Sequence, residues 1–137
     1  MNRIKIPEEF YNVEYVSARV PGVENQSDLS LGANCQVFAY ALLEENGLHV
    51  PNDRSSELWS DTSYSEAVTE FEALDLMLYN STSDAYGAHV AVYIGEGRII
   101  HLSLQNGRPE ITTHICMLSI EKYKCFIGAK RVVKNRQ

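Results

Sequence analysis

The sequence predicts an α+β fold in which one amphipathic helix precedes a run of antiparallel strands. Apolar residues recur at helical spacing after Asn34, and from Leu74 onward the period changes to two. Helix and strands fall in separate blocks rather than alternating, the order of an α+β chain and not of a parallel α/β one.

Residues 1–33 carry weak periodicity and the breakers Pro21, Gly22 and Gly32, so a strand or short helix is expected around Phe10 to Val16, followed by a loop. A helix begins at Asn34, a good N-cap type, and continues through Cys35, Phe38, Ala39 and Leu42, with Gly47 as its stop. The run Ser55-Ser56-Glu57-Leu58-Trp59 sets a serine before an acid and predicts a second, short helix. The acidic stretch from Glu66 to Glu72 reads as a solvated helix face. Beyond it, Leu74/Leu76/Leu78, Val90/Val92/Ile94 and Ile100/Leu102/Leu104 alternate as strands of one sheet. Gly95-Glu96-Gly97 connects the second to the third, and Cys125 to Val133 forms a last strand.

With 137 residues, 45% apolar and 22% charged, the chain matches one packed domain over 1–137, irregular over 1–33 and with its core in 34–133. Such a length buries roughly 68% of the unfolded surface, so neither metal nor disulfide is needed for folding. The net charge of −6 comes without any block of Lys or Arg, which excludes a nucleic-acid surface. Lys130, Arg131, Lys134 and Arg136 read as a solvated edge. Three cysteines, Cys35, Cys116 and Cys125, leave an odd thiol and fit a reducing compartment. No apolar leader or membrane-length run is present, so a cytoplasmic chain without a membrane partner is expected. Cys116, Cys125 and His114 lack the paired spacing of a zinc site, and His49 reads as a surface imidazole. No cofactor or metal is implied.

Cys35 carries the chemistry. In the first turn of a helix the exposed N–H groups and the dipole favour negative charge, which should ease ionisation of a thiol whose reference pKa is about 8.5. The same N–H groups can receive an oxyanion. A free cysteine is more often a small buried hydrophobe, and what distinguishes this one is the histidines that follow. His89 opens an apolar strand and His101 lies in the next, an arrangement suited to a base and the residue that orients it. A two-residue turn at Glu96-Gly97 sets the two rings on opposite faces. A three-residue turn sets them on one face, offset by four residues or roughly 13 Å, which twist or a bulge must close. Asn80 and Gln105 are reserves for the orienting role; Trp59, Tyr64, Tyr79, Tyr86 and Tyr93 belong to the cleft or to the core.

The order of Cys, His and a polar residue twelve positions later, with Ala73-Leu74-Asp75-Leu76-Met77-Leu78-Tyr79-Asn80, the segment His89 to His101 and the segment Phe126 to Val132, resembles the NlpC family of papain-like bacterial cysteine peptidases. Pro51-Asn52-Asp53-Arg54-Ser55-Ser56 resembles the proline, arginine and hydroxyl residues that follow the family's nucleophile helix. The resemblance implies a papain-like fold, Cys35 as nucleophile, His89 as base and His101 orienting it. It also sets Arg54 and Ser55 against the substrate; Asn34 and Gln36, flanking Cys35, and Tyr86, just before His89, are further expected contacts, and a peptide or other small amide or acyl compound is the expected substrate. Family members cleave stem peptides of the bacterial cell wall. Where the family writes Asp-Cys-Ser-Gly this chain has Asn34-Cys35-Gln36-Val37, which removes a carboxylate partner for a substrate ammonium group and favours an uncharged substrate. The family's tyrosine ahead of the nucleophile has Tyr11 or Tyr15 as its substitute. A thiol hydrolase is therefore expected, with an acyltransferase, an esterase or a catalytically silent binding module as the other outcomes.

Overall fold

In the computed structural model residues 4–26 and 28–133 are described; Lys134 and Arg136 of the basic edge lie outside them. The helix α1 spans Cys35–Glu45. Asn34 starts it with extended backbone, and its side-chain oxygen accepts from the Val37 N–H at 2.9 Å, satisfying one of the orphan donors of the first turn. Asn46 ends it, and Gly47 leaves at φ +88, as the sequence indicates. The second helix, α2, covers Ser55–Ser60, where Glu57 reaches back to accept from the Arg54 N–H at 2.8 Å.

Six strands follow: β1 Ser65–Val68, β2 Leu76–Asn80, β3 His89–Gly95, β4 Arg98–Leu102, β5 Pro109–Thr113 and β6 Cys125–Val132. They form one antiparallel sheet in the order β1-β6-β2-β3-β4-β5. A short helix α3, His114–Leu118, and a 3-10 turn at Glu121–Tyr123 join β5 to β6. The α+β expectation stands, with two differences of detail. The acidic stretch after Tyr64 is not a helix: Asp61 accepts from the N–H groups of Tyr64 and Ser65 and from the Ser65 hydroxyl, which turns the chain into β1. Leu74, at φ +80, and Leu104 fall just outside the strands assigned to them.

Alternation divides the sheet's side chains. Leu76, Leu78, Val90, Val92, Ile100 and Leu102 pack under α1 with Phe38, Leu42 and Leu43. Met77, Tyr79, Ala91, Ile99 and Ala129 face the other way and are covered by Met117 and Tyr123. Both faces are thus buried, which is why these strands read as nearly continuous apolar runs. Lys130 and Arg131, read from the sequence as a solvated edge, lie instead on the interior strand β6: the buried Lys130 donates to the carbonyls of Trp59 and Asp61, and Arg131 pairs with the buried Asp75 carboxylate at 2.9 Å. Among the described residues no helix is long and apolar enough to cross a membrane.

The N-terminal segment begins with a 3-10 turn at Glu8–Asn12, whose Phe10 packs on Phe38 in the core, and then pairs Tyr15 with Ala33 in an isolated bridge while the Tyr15 N–H donates to Gly107. Ala33 donates to Glu14, Val16 donates to Ala33, and Asn34 donates to Arg19, so the strand-like stretch is stitched to the residues just ahead of α1. That approach demands glycine at position 32: its φ is +92, and a Cβ there would lie 2.3 Å from the Val16 side chain. Gly32→Ala should therefore lower unfolding free energy by about 1–3 kcal/mol, read by urea titration. A variant as stable as the parent would show that the stitch is not under this constraint.

Candidate active site

The folded chain brings Cys35, His89 and His101 to the place where the N-terminus of α1 meets the beginning of β3. Cys35 is the first residue of α1, and its sulfur lies within reach of the backbone N–H of Val90 and of its own and Gln36's N–H groups. His89 is the first residue of β3, directly before that valine, and its ring stacks on Tyr123 with centroids 4.5 Å apart. His89 Nε2 and His101 Nδ1 are 2.8 Å apart.

That contact is closer than the sequence geometry allowed, for a physical reason visible in the register. The β3–β4 turn is the two-residue Glu96-Gly97, both at positive φ as type I′ turns require, with Gly95 opposite Arg98. Alone, this would place the rings on opposite faces. A bulge at Ile94 shifts the pairing, so that Tyr93 faces Ile99 and Val92 faces Ile100. Continued one step, the register sets His101 beside Ala91, two residues from His89 and on its face, about 7 Å along the strand rather than 13. The two long side chains close that gap.

Burial raises the pKa of the Cys35 thiol, because a thiolate there would lose its water; the three N–H groups and the more distant Arg54 guanidinium offset only part of this. The expected easing of ionisation by the helix start is real but outweighed. Burial likewise holds the His89 pKa well below its ordinary value, reinforced by His101 and Lys122, and lowers that of His101 despite the opposing pull of Glu110. Both directions favour the neutral forms, thiol and imidazole, at rest.

Other predicted residues divide into those near the sulfur and those spent on the scaffold. Asn34 caps α1, while Gln36, only 5% exposed, donates to the Tyr40 hydroxyl and the Asp53 carbonyl, both at 3.3 Å. Ser55 is buried and ties two backbone groups, donating to Ala85 and accepting from Ala88. Arg54 is exposed and acts on the sulfur through its charge; Tyr86 is 78% exposed on the loop before β3. Tyr15, not Tyr11, is the tyrosine close enough to feel the Cys35 charge. Asn80 holds the loop carbonyls of Asp84 and Tyr86, and Gln105 is exposed in the turn after β4, so neither takes the orienting role. His114 pairs with the Tyr79 hydroxyl at 2.7 Å. Tyr123 and Glu110 were not foreseen: a tyrosine in a lysine-rich turn and an acid on a polar edge strand carry no sequence signal of their own. A groove of about 920 Å³ between α1 and the N-terminal segment includes none of the three central residues.

Comparison with known proteins gives a consistent picture. The NlpC/P60 family model matches residues 21–124. Among solved structures, an NlpC/P60 family protein from Bacillus cereus superimposes with a TM-score of 0.56 at 24% identity, over 74% of this chain and 32% of that one. The NlpC/p60 domain of the peptidoglycan hydrolase SagA gives 0.52 at 22% identity, over 77% of this chain and 80% of that domain. A lipoprotein-like NLP/P60 family protein from Staphylococcus aureus gives 0.60 at 19% identity, over 98% of this chain and 45% of that one. The chain thus spans about a third of the Bacillus cereus protein's length. No curated protein matches it. These likenesses establish the papain-like fold.

Because both imidazoles hold pKa values below the ordinary 6.5 in the fold, the unfolded chain binds protons below that pH that the folded chain refuses. Stability should be unaffected by these groups above about pH 7 and fall as pH drops through 6.5, with a limiting slope of about 1.4 kcal/mol per pH unit for each proton. Urea unfolding of the parent and of His89→Asn between pH 7.5 and 5 checks this. The variant should show the flatter dependence, and parallel slopes would refute the neutral assignment of His89.

Proposed function

Because the chain belongs to the NlpC/P60 family, we propose that it is a thiol hydrolase that cleaves an amide bond in a peptide of the cell-wall stem type. The observation that carries the proposal is the pairing of His89 with His101 at 2.8 Å beside the start of α1, where Cys35 lies against the Val90 N–H. An orienting imidazole on the base, and a nucleophile at a helix mouth, are the parts acyl transfer requires.

The chemistry follows from these groups. With His89 Nε2 held by His101, Nδ1 is the nitrogen left to take the Cys35 proton as the sulfur attacks the carbonyl carbon. The tetrahedral oxyanion draws on the N–H groups at the α1 start. Collapse expels the amine, which receives the proton back from His89, and leaves a thioester on Cys35. Water, deprotonated by His89, then hydrolyses the thioester and restores the thiol. Substrate sign follows from the same surroundings: no carboxylate stands where the family has its aspartate, and the guanidinium of Arg54 is the charge acting on the sulfur, so neutral or acidic acyl groups suit the cleft better than ammonium groups.

One observation favours a second reading, a silent binding module that keeps the fold: the Cys35 thiol is raised rather than lowered. Turnover of a stem peptide separates the two. Cys35→Ala and His89→Ala should each reduce kcat/KM by about 10⁴-fold or more, since members of such a unit fail together. Cys116→Ala should leave turnover intact even though that exposed thiol, with its pKa lowered by hydrogen bonds from Thr113 and Thr112, is the readier target for alkylation. Absence of turnover by the parent on stem peptides and simple acyl donors alike supports the silent module.

A further inference from the structure

The β4–β5 register places His101 directly opposite Glu110, so both side chains leave the same face of the sheet. His101 is 3% exposed, and its two ring nitrogens have different surroundings. Nδ1 meets His89. Nε2 is shut away from solvent without a partner in full hydrogen-bond geometry, and the acceptor it faces is Glu110 Oε1, 3.4 Å away. That oxygen is held in place by Asn106, whose side-chain amide donates to it.

We propose that Glu110 is a positioning residue for the thiol–imidazole pair, fixing the tautomers of both histidines from the far end of the chain Glu110–His101–His89. The step rests on the hydrolase reading, and its logic is one of proton counting. A buried lone pair pointed at a carboxylate is repelled, whereas an N–H is attracted, so His101 carries its single proton on Nε2. Nδ1 of His101 is then an acceptor and His89 Nε2 its donor. His89 Nδ1 is left as a lone pair, the form a base needs to take the Cys35 proton. With the opposite tautomer, His89 would present an N–H to the thiol and could not accept.

The carboxylate also favours the charge that appears when His89 is protonated. The groups facing the two rings from the packed elements are Lys122 and Tyr123 on the turn after α3, Glu110 on β5 and Tyr79 on β2, with Cys35 on α1 and Arg54 before α2 acting at the sulfur. Among them Glu110 is the one carboxylate, so besides the thiolate formed in the transfer it is the negative charge that an imidazolium on His89 meets through His101. No proton need move onto His101 or Glu110; the proton that leaves Cys35 stops at His89.

Full-length protein with ¹⁵N-labelled histidine gives the tautomers by NMR, and peptide-level mass spectrometry gives the rate of Cys35 carbamidomethylation against pH, free of any signal from Cys116. In the parent, His101 should be protonated at Nε2 and bare at Nδ1. Glu110→Ala should scramble this and slow Cys35 alkylation at pH 7 about 10-fold or more. Glu110→Gln keeps an acceptor that Asn106 can hold, so it should restore the tautomer but not the full rate. A merely structural Glu110 would not split the two readouts. The inference is overturned if the parent His101 carries its proton on Nδ1, or if the Glu110→Ala rate curve superimposes on the parent's. Failure of the hydrolase reading looks different: His89→Ala would then leave the Cys35 curve unchanged, whatever the tautomers show.

Discussion

The site depends on one irregularity, the bulge at Ile94 in the β3–β4 hairpin. A strand presents alternate residues to opposite faces, so a shift of one position moves a side chain from one face of the sheet to the other. The turn Glu96-Gly97 by itself gives the wrong parity for His89 and His101. The extra residue restores it, and everything that makes the two rings a unit follows: their 2.8 Å contact, the shelter of Tyr123, and the approach of Glu110 from β5. Bulges recur beside active sites because they re-aim side chains without disturbing the rest of a ladder.

Burial then sets the electrostatic character of the site. A sulfur at a helix start is commonly expected to be a ready thiolate, but the helix N–H groups act on a group that has also lost its water, and desolvation is the larger effect here. The same loss of water keeps both imidazoles neutral. With thiol and imidazoles neutral at rest, the proposed proton transfer would create charge, and Arg54 and Glu110 are the charged groups that act on the sulfur and on His101.

Legibility followed periodicity and burial. Helix α1 was readable because its N-cap, apolar spacing and terminal glycine agree, and β2, β3, β4 and β6 because they are buried and rich in β-branched and large apolar residues. The edge strands β1 and β5, Ser65–Val68 and Pro109–Thr113, were not, since a half-solvated edge carries polar residues that match loop or helix surface equally well. Cys35, His89 and His101 were readable as an ordered set. Their mutual distance was not, because a bulge leaves no mark in composition and shifts the register by a full residue. Asn34, Gln36 and Ser55 stood beside the motif in sequence, yet their polar atoms close hydrogen bonds inside the scaffold. Position in a motif places a residue near the chemistry; only its partners decide whether any of its hydrogen-bonding capacity is left for a ligand.

That accounting bears on what the cleft can recognise. Asn34 uses its acceptor on the Val37 N–H and Gln36 its amide N–H groups on Tyr40 and Asp53, and neither flank of Cys35 is a carboxylate. Arg54, which is exposed, is the charge acting at the sulfur, and a guanidinium matches carboxylates in geometry as well as charge. The hydrogen bonds already closed within the scaffold decide which polar atoms remain for a ligand, and the proposed disfavour for an ammonium group rests on the carboxylate this chain lacks at position 34.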